Sequence, residues 1–129
     1  MFNLRGAIAI GLGAIAGAIS RYLITLWLTQ KIATSFPVAT LSVNALGCLG
    51  MGIFAALSME QAAFWPPEIK LLISVGFLGS FTTFSTYELD TIGLMQEGHV
   101  GRAIACWLGS ATLGAISLYG GILLVRYFR

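Results

Sequence analysis

The sequence predicts an all-α membrane protein with four transmembrane helices, the third of them broken near its middle. Three observations carry that expectation. Only 9% of the 129 residues are charged and 57% are hydrophobic, with a mean hydropathy of +0.89. A soluble domain carries about a quarter charged residues. Four apolar stretches each approach the roughly 20 residues that a helix needs to cross a bilayer. Residues 76 to 87 read Gly-Phe-Leu-Gly-Ser-Phe-Thr-Thr-Phe-Ser-Thr-Tyr, which places two glycines and five Ser/Thr hydroxyls inside the third stretch. Such residues weaken a helix where lipid demands internal backbone hydrogen bonding. The segment is tolerated only when buried in protein or lining a polar cavity.

The first span runs from about Leu4 to Leu28. It is too long for a signal-peptide core and lacks a clear cleavage site, so it reads as a retained helix. Its Gly13 and Gly17 form a GxxxG pair that lets another backbone come close. The second span, Val38 to Met59, carries Thr40 and Asn44 one turn apart on one face. The third, Ile69 to about Met95, contains the weakened segment. Its Phe81, Phe84 and Tyr87 recur every three residues and would stack on one face where the helix resumes. The fourth, Gly101 to Tyr127, shows a small-residue stripe at Ser110, Gly114, Ser117 and Gly121.

The connections Thr29 to Pro37, Glu60 to Glu68 and Gln96 to His99 leave no room for a soluble domain, so the chain reads as a single transmembrane domain. Four spans place both termini on one side. That side carries Arg5, Lys70, Arg126 and Arg129; the other carries Lys31 and Arg102, with Arg21 if it snorkels there. So weak a positive-inside bias fits one topology or insertion in both. Four helices enclose little interior, and a polar pathway is therefore expected at a subunit interface, within an oligomer.

Polar groups inside spans are expensive and mark pathways by default. Arg21 either snorkels or forms an anion-attracting vestibule. Asn44 either bonds between helices, an interaction worth about 0.6 kcal/mol, or offers its amide N–H to a passing anion. Glu88 and Asp90 follow the break and are read as having returned to the interface. Cys48 and Cys106 sit in apolar runs without CxxC spacing and read as reduced core thiols rather than a disulfide or metal pair. His99 falls in a loop with no partner. No serine has a histidine partner, no His/Cys/Asp cluster has metal spacing, and no glycine loop cradles phosphate, so no enzyme is expected. A net charge of +2 is too small and scattered for nucleic acid. A broken helix with hydroxyls and ring edges points to a small-ion site.

Three segments together resemble the Fluc family of fluoride channels: Gly-Ala-Ile-Ser-Arg-Tyr at 17–22, Thr-Leu-Ser-Val-Asn at 40–44, and Gly-Phe-Leu-Gly-Ser-Phe-Thr-Thr-Phe-Ser-Thr at 76–86. Their order, intervals and the four-span layout agree over essentially the whole chain. The resemblance implies an antiparallel, dual-topology homodimer in the cell membrane, with two fluoride pores along the subunit interface. It implies a central structural sodium ion held by the backbone carbonyls of Gly79 and Thr82 from both subunits. It assigns Phe84 a ring edge towards fluoride, Asn44 a donor role with Thr40 nearby, and Ser110 a pore-lining hydroxyl. Tyr87 departs from the family pattern, which has a second phenylalanine there. Its hydroxyl would donate to fluoride, narrow the pore or impede passage. Gly114 stands where some relatives carry a second serine.

The implied activity is passive, fluoride-selective export. A small multidrug-type exporter is the rival from the transporter class, but it requires a mid-membrane carboxylate, and the first span carries Arg21 and no acid. A non-transporting accessory subunit is the second rival; it has no need of a broken, hydroxyl-rich span.

Overall fold

A computed structural model describes residues 3–128. Arg129, counted above among the basic residues of the terminal side, lies outside the described residues. All the regular structure among the described residues is helical. α1 (Leu4–Lys31) starts at Asn3, whose side chain accepts the Gly6 N–H at 3.3 Å and supplies one of the partners that a helix start lacks. α2 (Val38–Glu60) follows Pro37. The third span begins as α3 (Pro67–Lys70), continues as a π-helical stretch over Leu71–Leu78, and closes its first half with α4 (Gly79–Phe81). Thr82 and Thr83 are extended, and α5 (Phe84–Gln96) completes the span. Gly98, with φ 81°, then takes a left-handed turn, and the His99 N–H reaches back to the Leu94 carbonyl at 2.8 Å. That closure ends α5 and feeds α6 (Val100–Tyr127). By length and composition four helices can cross a membrane: Leu4–Lys31, Val38–Glu60, Pro67–Gln96 and Val100–Tyr127.

Glycine decides how they pack. A Cβ on Gly13 would land on the Leu72 carbonyl oxygen, and one on Gly17 on that of Phe77. From the other side, a Cβ on Gly76 would lie 2.6 Å from the Ile10 oxygen. The backbones of α1 and the third span therefore touch with no side chain between them. α2 and α6 meet the same way, Gly52 against the Leu118 carbonyl and Gly121 against that of Leu49. Lipid supplies no hydrophobic drive between helices, so this close van der Waals contact holds each pair. A smaller buried cluster joins α5 to α6 through Tyr87, Leu94, Ala103 and Cys106.

Two expectations change. The rings of Phe81, Phe84 and Tyr87 do not share a face, because the break falls between the first two. Phe81 is buried and stacks on Phe77 (5.9 Å, 9°), whereas Phe84 meets Tyr87 edge to face (5.5 Å, 63°). Helical spacing lines up side chains only within one uninterrupted helix. The irregularity also begins earlier than the composition indicates, in the wide winding of Leu71–Leu78, where the Ser74 hydroxyl donates to the Lys70 carbonyl at 2.6 Å.

Candidate functional site

The break at Thr82–Thr83 removes backbone hydrogen bonds in the middle of a span, and each freed group needs a partner. The Leu78 carbonyl accepts both the Thr82 N–H (3.1 Å) and the Thr82 hydroxyl (3.0 Å). The Ser80 carbonyl accepts Nε of Arg21 at 3.1 Å. Asn44 serves Thr83 twice: its Oδ1 accepts the Thr83 N–H at 2.7 Å and its Nδ2 donates to the Thr83 carbonyl at 2.9 Å. This reciprocal pair also fixes which amide atom is oxygen. Thr83 in turn caps α5, its hydroxyl oxygen accepting the Thr86 N–H at 3.2 Å. Gly47, one turn after Asn44, leaves room for the Thr82 methyl group, which a Cβ there would strike.

Beside this clamp lies an open groove of about 390 Å³ between α2, α5 and α6. Asn44, Thr82, Phe84, Tyr87 and Ser110 line it, together with Cys48 and Thr83. Five of the residues singled out from sequence thus share one cavity wall. Phe84 is 73% exposed and Tyr87 is 6% exposed, so one ring projects from the protomer and the other is sunk into it. Cys48 and Cys106 are free thiols.

Three other candidates stand apart. Thr40 lines a separate pocket of about 310 Å³ with Thr86 and Asp90, and its hydroxyl donates to Asp90 Oδ2 at 2.6 Å. Arg21 is half-buried and turned inward to Ser80 rather than outward along the lipid. Gly79 is exposed on the protomer, one turn before the break. Glu88 accepts the Trp107 indole N–H at 3.3 Å.

Thr83 and Gly47 were missed from sequence. Thr83 had a signal, a hydroxyl residue immediately before a resumed helix, which suits an N-cap. Gly47 had none beyond its one-turn distance from Asn44.

Residues 8–122, which hold the clamp, the groove and Arg21, match the family model described as CrcB-like protein, Camphor Resistance (CrcB). The chain belongs to the CrcB-like family. It is similar to a protein of Trichormus variabilis, 51% identical over 96% of this chain and 90% of the relative, named fluoride-specific ion channel FluC. A Synechococcus protein of the same name is 48% identical over 98% and 97% of the two chains. A third, from Synechocystis, is 43% identical over 96% and 95%. With four spans and this membership, the CrcB-like chain is a multi-pass membrane protein.

Proposed function

We propose that this chain is a fluoride-selective channel that lets fluoride leave the cytoplasm passively. The observation that carries the proposal is the groove itself: amide, hydroxyl and aromatic edges converge beside a broken helix, in a chain whose relatives bear the name fluoride-specific ion channel. Asn44 uses one Nδ2 hydrogen on Thr83, which leaves its second for an anion. Ser110 adds a hydroxyl on the facing helix, and the edge of an aromatic ring carries positive quadrupole. These donors replace the water that a small anion loses in a narrow passage; a larger halide fits them poorly. An inside-negative potential drives the anion outward by roughly 2.3 kcal/mol per 100 mV, so neither ATP nor a proton relay is required.

The working unit in this proposal is an antiparallel homodimer with two pores along its seam. Its support is that the protomer leaves its groove open and Phe84 exposed. The proposal also assigns a structural sodium ion to that seam. Gly79 is exposed, and Thr82 has left the helix with ψ 157° while its hydroxyl is engaged at Leu78. Carbonyl oxygens at these two positions are the hard ligands an alkali cation prefers. Bound there, sodium would offset the dipoles of these carbonyls and hold the two breaks together.

The test is halide efflux from liposomes containing the purified protein. Rapid fluoride release with chloride retained is expected; equal release of both ions would refute the proposed selectivity.

A further inference from the structure

The hydroxyl of Tyr87 does not face the groove. It donates to the Trp107 carbonyl of α6 at 2.7 Å, across twenty residues of sequence. The rest of the side chain packs in the cluster with Leu94, Ala103 and Cys106. Thr91 reinforces the same seam, its hydroxyl lying 2.9 Å from the Tyr87 carbonyl and 3.4 Å from Cys106 Sγ. Only 6% of the residue is exposed, although it lines the groove and meets Phe84 at 5.5 Å.

From these contacts we propose that Tyr87 is a selectivity-determining residue whose hydroxyl is a strut rather than an anion ligand. The bond to Trp107 fixes the ring so that the groove meets a rigid ring edge of constant width. The proposal rests on the groove being the fluoride path. A phenol whose proton is committed to a carbonyl has none to offer an anion, and its oxygen lone pairs would repel one. The strut's contribution is geometric. With it, the ring has a single position; without it, the ring swings and the passage widens enough for a larger halide. One neutral hydrogen bond is worth about fivefold in such a population.

Efflux of fluoride and of chloride is measured from liposomes holding the full-length protein, with Tyr87→Phe beside wild type. Tyr119→Phe, which removes a hydroxyl from an exposed position of α6 outside the groove, serves as the control. Expected for Tyr87→Phe is fluoride efflux within about twofold of wild type and chloride leak raised about fivefold or more. A second pair preserves ring volume: p-methylphenylalanine at position 87 should leak chloride like the phenylalanine variant, while p-aminophenylalanine, which retains a donor, should stay selective. Fluoride efflux lost with chloride still excluded would make the hydroxyl a direct ligand and overturn the proposal. Unchanged fluxes of both ions overturn it too, and so does failure of both donor-free variants to fold, which would assign the hydroxyl to folding. Wild-type protein passing both halides equally would instead sink the fluoride selectivity, and passing neither would sink the channel function, on which the proposal stands.

Discussion

Asn44 shows how one side chain repairs a broken helix. Its amide presents an acceptor and a donor at the spacing of a peptide group, so it pairs with Thr83 as a neighbouring strand would. Left unpaired, each of the two Thr83 groups would cost about 1–3 kcal/mol. Asn44→Asp should keep the acceptor and lose the donor. The Thr83 carbonyl would then face a carboxylate, and any anion in the groove would meet a negative charge. We expect this variant to melt several degrees lower in detergent and to lose at least ~90% of fluoride efflux, since like charge in a low-dielectric passage is strongly unfavourable. Wild-type efflux from Asn44→Asp would remove Asn44 from the pathway. Arg21 repairs the same break from α1, binding the Ser80 carbonyl. Sequence left it between snorkelling and a vestibule, and neither reading named Ser80, whose carbonyl its Nε binds. The choice depended on where Ser80 lies in space, 59 residues along the chain.

At the scale of elements, two glycine-lined pairs, α1 with the third span and α2 with α6, make up most of the packing. The GxxxG pair was visible in sequence because small residues at that spacing have few other uses in a membrane. Its partner was not, since nothing in Gly13 or Gly17 names Leu72 or Phe77. Gly13→Val should drive the two backbones apart. No monodisperse protein is expected on size exclusion, an effect larger than the ~1 kcal/mol that glycine costs in a helix. Gly11, two residues earlier, faces open space, and a Cβ added there would meet nothing within 4 Å. Gly11→Ala should therefore fold normally, and a matching collapse there would disprove the contact explanation. The π-winding of Leu71–Leu78 escaped the sequence for a different reason. A largely apolar run looks the same whether its backbone hydrogen bonds reach back four residues or five, so periodicity is silent.

For the whole molecule, the share of each span buried within the protomer is small, and in α6 it falls to 6%. Leu108, Ile116, Tyr119 and Leu123 on that helix are exposed and must meet lipid or another copy. If two copies join at their broken spans, light scattering in detergent should give a protein mass of two 13.7 kDa chains. Replacing sodium by a large organic cation should lower the melting temperature, and returning sodium should restore it, because an ion that binds only the folded state stabilises by mass action. A monomer whose melting ignores sodium would contradict both the seam and its ion.

The sequence alone determined four spans, a third one interrupted at its centre, and five of the residues that line the groove beside it. Composition and helix propensity are local quantities, and lipid forbids unsatisfied backbone wherever it lies. Tertiary structure decided the partners. It gave Thr40 to Asp90 rather than to the groove, Asn44 to Thr83, and the Tyr87 hydroxyl to Trp107. Those bonds join residues 50, 39 and 20 positions apart. Which polar group meets which follows from how whole helices pack, and the spacing of residues along one helix holds no record of that.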